Sequence, residues 1–212
     1  MVTTTKYTFS FTGASALIPE TSVIAEEYNR LKDWKSVRKS LLDNNSLNKV
    51  KQATFTREFR EIKKRISLLT SDQLKLLIQG SSDDAKSIIL LSLAKTYPFV
   101  KDFIAEVLRN KYWIFDTILT ETDYNKFFNT KSLSHDELNT ITELTAKKVK
   151  QRVYTLLDQV GLITQAKNGT ILKPVLSSKV IEVIIEDDPA FLMVFLYSNE
   201  EIKSLIQKLK HA

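Results

Sequence analysis

The chain contains no cysteine. This excludes disulfides, a thiolate nucleophile and any cysteine-based zinc site. Glycine and proline are scarce, at 4 each. So few scattered glycines cannot build a phosphate-cradling loop, and long helices are expected rather than extensive loops. Histidine occurs only at 135 and 211. His135 falls at a helix start with no paired ligand four residues on, and it is expected to be exposed rather than catalytic. The longest apolar run towards the C-terminus, Ala190 to Tyr197, is far below the about 20 residues a membrane-spanning helix needs. The N-terminus is threonine-rich without an apolar signal core, so no membrane partner and a cytoplasmic location are expected. Glu61-Ile62-Lys63 and Glu201-Ile202-Lys203 match a nuclease-like Glu-x-Lys fragment. Both fall in helical patterns without an upstream aspartate in a strand, and read as chance matches. Asp187 and Asp188 can bind a metal, but complementing a helix dipole is the commoner role for acids at a helix start. No enzyme activity, metal or cofactor is expected.

Hydrophobic residues make up 43% of the 212, and charged residues 26%, which is a globular composition. The net charge is +6. That excess is modest, so the placement of the cations matters more than their number.

Along the chain, Tyr7, Phe9 and Phe11 alternate with polar residues, as a short strand or as an extended arm laying aromatics on a core. Pro19 and Glu20 open a helix near Thr21, with Ile24, Tyr28 and Leu31 inward. Asp33 can cap a helix carrying Trp34, Val37, Leu41 and Leu42. Asp43-Asn44-Asn45-Ser46 is a turn cluster. The best-patterned helix follows, with Phe55, Phe59, Ile62, Ile66 and Leu69 as a continuous apolar seam. Arg57, Arg60 and Lys64 lie opposite it, Lys49 and Lys51 precede it, and Lys63 and Arg65 flank it. Only Glu58 and Glu61 offset them. This basic face is either an ordinary solvated surface or a track for phosphates, and Glu58, Glu61 and Arg65 can form pairs along the helix. Thr70 and Gln73 have capping-box spacing, with Gly80 as the stop. Ser82 is a candidate cap for the next helix, and Pro98 suits a first turn. Val100, Phe103, Ile104, Val107 and Leu108 form another stripe, and Trp113, Phe115, Ile118 and Leu119 continue as a helix-like stretch. A boundary in the polar stretch after Thr120 divides the chain into a helical domain, 1–125, and a C-terminal region, 126–212.

That C-terminal region centres on Ser134 to Pro174, which has the order of a winged helix-turn-helix. Ser134 and Glu137 suit a capping box, with Leu138, Ile141 and Leu144 on one face. Thr145 is a candidate cap for a second helix, with Val149, Val153, Leu156, Leu157 and Val160 inward and Gly161 after its end. Asn168-Gly169, between two β-prone runs, predicts a hairpin wing with both turn residues at positive φ. Lys147, Gln151 and Tyr154 lie opposite the apolar stripe, with Lys148 and Thr155 beside them and Lys150 and Arg152 flanking. Such a helix suits a major groove, while Lys167 at the wing tip and Lys173 at its foot can reach phosphates. The alternative is a structural winged helix with a solvated basic face. Beyond it, Val175 to Ile185 suits either strand or short helix, Asp188-Pro189 reads as cap and first turn, and Asn199 caps a last amphipathic helix.

The segment Tyr7 to Ala14 leading into Glu20-Thr21, then Asp33-Trp34, Val37-Arg38 and Asn48 to Leu69 with its Thr56 to Ile62 core, the basic helix and Gly161-Leu162-Ile163 together resemble BrxA, the small A component of BREX (bacteriophage exclusion) defence systems. The resemblance covers almost the whole chain. It implies an all-α fold whose N-terminal part is similar to the antitermination factor NusB, followed by a winged-helix part. It further implies a non-catalytic protein that binds double-stranded DNA with little sequence preference, alongside a methyltransferase and ATPases of the same system. The NusB likeness leaves RNA as a possible ligand. An adaptor that docks other phage-defence proteins through Phe191 to Leu209 is the alternative function, and a repressor a third.

Overall fold

Side-chain caps fix where most helices begin. The computed structural model describes residues 5–44, 47 and 51–210. Asn45, Ser46, Asn48, Lys49 and His211, named above, lie outside the described residues. After an arm whose 3₁₀ turn spans Ser10–Gly13, the chain forms α1 (Ile18–Leu31), α2 (Trp34–Asp43), α3 (Gln52–Ile66), α4 (Ser71–Gln79) and α5 (Ser82–Thr96). Next come α6 (Pro98–Phe103), a π turn at Ile104–Leu108, α7 (Arg109–Trp113), α8 (Glu121–Ser132), α9 (Asp136–Thr140) and α10 (Glu143–Gln159). The chain finishes with α11 (Ser178–Ile185), a 3₁₀ turn at Pro189–Phe195 and α12 (Asn199–Lys210). No strand forms among the described residues, and the fold is all-α.

The capping logic holds at Asp33, whose carboxylate accepts from the Ser36 amide, and at the reciprocal Thr70–Gln73 box. Asp188 likewise caps its turn, which is 3₁₀ rather than α-helical. Elsewhere the true cap lies near the expected one. Ser81, not Ser82, pairs reciprocally with Asp84 to start α5. Thr142, not Thr145, caps α10, and Thr145 supplies the amide that Thr142 accepts. Ser198, not Asn199, exchanges bonds with Glu201 ahead of α12. In each case neighbouring Ser, Thr or Asn residues offer equivalent oxygens, and the apolar register decides among them.

The arm is pinned far from its neighbours in sequence. Tyr7 is buried, donates its amide to Glu137 Oε1 at 2.6 Å and its hydroxyl to Asp102 at 2.8 Å. Its ring lies flat on His135, with centroids 3.8 Å apart. His135 is thus buried, not exposed. The expected Ser134–Glu137 box does not form. Glu137 instead serves Tyr7 and His135. The Ala16 amide donates to Gln159 Oε1, tying the arm to the far end of α10.

On α3 the seam is buried at Phe55, Phe59, Ile62 and Ile66 as expected. Two polar residues of the helix depart from expectation. Glu61 and Arg65 are buried, and both meet the phenol of Tyr97, just past the end of α5, while Glu61 Oε1 keeps the expected pairing along the helix at 3.6 Å from Arg60 and Lys64. Arg65 also donates to the carbonyls of Ser15 and Ala16, so α3 holds the arm through its guanidinium. The core runs on from these helices without a break through Phe99, Phe103, Phe127, Val153 and Leu157. The boundary placed after residue 125 lies within α8.

The stretch after Trp113 is not helical. Ile114 and Phe115 are 71% and 89% exposed, and Phe115 takes φ +61°. Leu144 is also exposed, because α10 starts at Glu143 and turns that residue outward.

Candidate nucleic-acid interface

Three short segments come together beside α10. Leu119 donates its amide to Gly169 O at 3.0 Å, and Ile171 donates to Thr117 O at 2.7 Å. Thr164 donates to Thr170 O at 3.0 Å, and Leu172 to Leu162 O at 2.8 Å. The ladder is reduced to two isolated antiparallel bridges, Ile118 to Thr170 and Ile163 to Ile171. The sequence pattern predicts a full hairpin of strands from 162–172 alone. Instead, residues 117–119 supply a third piece. Within it Ile118 faces out and Leu119 is buried. In the turn, Asn168 has φ +48°, whereas Gly169 is outside the positive region. Gly169 is required for a different reason: a Cβ there would lie 2.2 Å from the Gln165 carbonyl oxygen. Gly161 meets its expectation, with φ +78° just past the end of α10.

This arrangement sets the turn over the polar side of α10. Lys147, Lys150, Gln151 and Thr155 from the helix, Lys167 and Asn168 from the turn, and Glu121 from the start of α8 line one open cleft of about 270 Å³. Five residues expected at the groove or the wing tip thus share one cleft with at least part of each side chain in solvent: Lys147, Lys150, Gln151, Thr155 and Lys167. Tyr154 borders the same cleft but does not face outward. It is buried, and its hydroxyl donates to Thr120 O at 2.7 Å. Burial pushes its phenol above the ordinary range, with Asp123 and Glu121 adding to the shift. A tyrosine beside Val153 is recruited to the core because its ring fills the space against Phe103 and Tyr124 while its hydroxyl finds a carbonyl.

The cations differ in how free they are. Lys147 pairs with Glu143 at 2.6 Å while remaining exposed, and Lys150 reaches Glu121 at 3.0 Å. The hydrogen bond from Lys150, followed by its charge and that of Lys167, holds the Glu121 carboxyl below its usual range. Lys148 and Lys167 are exposed. Arg152 reaches sideways to the Thr12 carbonyl at 3.4 Å. Lys173 is not available to a phosphate. It is clamped by both oxygens of Glu201 at 2.7 Å and lies over the rings of Trp113 and Tyr197.

The basic residues of α3 sit elsewhere. Arg57 and Arg60 line a shallow trough with Gln52, Ala53 and Thr56. Arg60 Nε lies 3.6 Å from Glu61 Oε1, with the arginine side chain still in solvent. Lys64 donates to Ser10 Oγ at 3.0 Å.

The chain matches the BrxA family over residues 5–188. It is 29% identical over 121 residues to the BREX protein BrxA of Bacillus cereus (strain H3081.97), an alignment covering 57% of this chain and 60% of that protein. The chain thus spans less than two thirds of that relative's length. It is 24% identical over 151 residues to the BREX protein BrxA of Escherichia coli O9:H4 (strain HS), covering 71% of each. A crystal structure of an uncharacterized protein from Magnetospirillum magneticum shares the fold, with a TM-score of 0.78 at 19% identity over 91% of this chain and 98% of that one. On this match across most of its length, the chain belongs to the BrxA family.

Proposed function

We propose that this protein is a non-catalytic component of a BREX phage-defence system that binds double-stranded DNA with little sequence preference. The observation that carries this reading is the cleft between α10 and the turn at 164–169. It gathers ammonium, amide and hydroxyl groups from two separate elements on one open surface. Lysines on a helix and at a neighbouring turn match a duplex, where phosphate contacts position the protein and carry no sequence information. Gln151 and Asn168 are the two amide side chains there suited to bidentate reading of a base, a short set that fits weak sequence preference. In this reading the segments 117–119, 162–164 and 169–172 stand in for the small sheet of a winged helix, and α10 serves as its recognition helix.

Fluorescence anisotropy with a random-sequence duplex at several salt concentrations tests the reading. With roughly five to eight neutralised phosphates, log K falls against log salt by about 0.9 per phosphate. The double variant Lys148→Ala, Lys167→Ala binds more weakly with a shallower slope. Undetectable or salt-independent binding of the unaltered protein at low salt overturns the proposal, and preference for single-stranded RNA over duplex DNA replaces it with an RNA-binding role.

A second reading, a protein adaptor within the same system, draws on exposed apolar residues. Ile114, Phe115 and Val175 are 71%, 89% and 93% exposed. It requires the purified protein to bind another defence protein while ignoring nucleic acid.

A further inference from the structure

The basic surfaces of α10 and α3 are separated by a single element, the 3₁₀ turn Ser10–Gly13, and that turn touches both. Arg152 of α10 donates to the Thr12 carbonyl at 3.4 Å. Gly13 abuts Arg57 of α3 so closely that a Cβ on the glycine would lie 3.0 Å from Arg57 Cδ. Beside Arg57 in sequence, Thr56 meets Arg38 of α2, whose Nη2 reaches Thr56 Oγ1 at 3.5 Å. Thr56, Arg57 and Arg60 line one trough. Successive neighbours therefore lead from Arg152 through Thr12 and Gly13 to Arg57, Thr56 and Arg38.

We propose that the turn Ser10–Gly13 joins these surfaces into one track, so that a duplex engaged by α10 is also held along its phosphate backbone by Arg57, Arg60 and Arg38. The inference rests on the DNA-binding reading of the α10 cleft and extends it. Two features favour it. Gly13 contributes no side chain between the guanidinium groups of Arg152 and Arg57, so no bulk interrupts the path. Glu61, the acid beside this face, is buried with Oε2 turned to Ser10 and Tyr97, and its Oε1 meets Arg60 and Lys64 only at 3.6 Å, leaving the Arg60 side chain in solvent. Arg57, Arg60 and Arg38 are exposed. Guanidinium groups suit this task because their planar forks meet phosphate oxygens in pairs.

The test compares the unaltered protein with its variants on the same random-sequence duplex, with folding monitored by circular dichroism. In the variant Arg38→Ala, Arg57→Ala, Arg60→Ala, affinity falls about tenfold or more near 0.1 M salt, and the salt slope becomes shallower by about 0.9 for each phosphate no longer neutralised. Gly13→Glu, which places a carboxylate on the turn and displaces the Arg57 side chain no more than Gly13→Gln does, weakens binding well beyond Gly13→Gln. Among the described residues Gly161 is the one glycine at positive φ, so Gly13 accepts a side chain if the flexible Arg57 shifts. If the unaltered protein binds with a steep slope and both the triple variant and Gly13→Glu keep it, the track is wrong while the α10 cleft stands. If the unaltered protein does not bind duplex DNA, both fall together.

Discussion

Glu61 and Arg65, one turn apart on α3, are joined through the phenol of Tyr97 rather than to each other. Arg65 Nε donates to Tyr97 Oη at 3.1 Å, and Tyr97 Oη donates to Glu61 Oε2 at 2.9 Å. Burial is the main influence on the phenol and, outweighing Arg65, pushes it up to about 12, so it remains a donor at any ordinary pH. Removing Arg65 takes a compensating charge from beside the buried Glu61 and leaves the Ser15 and Ala16 carbonyls without their donor. Arg65→Met is therefore expected to destabilise the fold by about 3–5 kcal/mol, the range for breaking a buried charged pair. Urea denaturation measures this, and a loss below about 1 kcal/mol would show that the network is dispensable.

The same network sets an acid limit. Burial raises the Glu61 carboxyl, but hydrogen bonds from Ser10 and Tyr97 and the charges of Lys64 and Arg65 outweigh it and hold the group below its ordinary range. A carboxyl depressed in the folded state contributes stability that is fully present above its unfolded value, about 4.3, and is lost as pH falls through the lowered value. The stability difference between the unaltered protein and Glu61→Gln should therefore be constant near pH 7 and shrink below about pH 4. A difference that grows on acidification contradicts this.

Tyr154 and Lys173 belong to the structure rather than to a ligand. Tyr154→Phe should cost about 0.5–1.5 kcal/mol, the value of one hydrogen bond, and leave duplex affinity unchanged. Lys173→Ala should lower the melting temperature by removing its packing on Trp113 and Tyr197, also without changing the salt slope. A shallower slope in either variant would return that residue to the interface.

Phe115 holds a left-handed conformation while burying almost nothing. Asparagine tolerates that region better than an aromatic residue does. Phe115→Asn should raise stability by a few tenths to about 1 kcal/mol in thermal or urea unfolding. A clear drop in stability would mean that the ring has a neighbour that offsets the strain.

Local chemistry is the most legible part of the sequence. The α3 seam, the Thr70–Gln73 box, Pro98 in a first turn and Gly161 past the end of α10 all follow from rules acting within a few residues. The Tyr7 arm and the Val175 to Ile185 stretch each leave two readings open, and tertiary packing chooses between them. Polar residues that turn inward are the hardest to read. His135, Tyr154, Glu61 and Arg65 occupy positions that a helical wheel assigns to solvent or to a flank. Each is buried because a partner over 30 residues away supplies a ring, a carbonyl or a hydroxyl. The piece at 117–119 escapes a sequence reading because its partner lies some 50 residues downstream, beyond the reach of any periodicity.

The fastenings of the N-terminal arm also order events during synthesis. Tyr7 is held by Glu137 and Ala16 by Gln159, so neither grip exists until the ribosome has delivered those downstream residues. Pairings so distant in sequence carry the largest loop-closure cost and form late. The arm is made before the helices that grip it and settles only after them, and in native-state hydrogen exchange the Tyr7 and Ala16 amides should report on how firmly it is latched to α9 and α10.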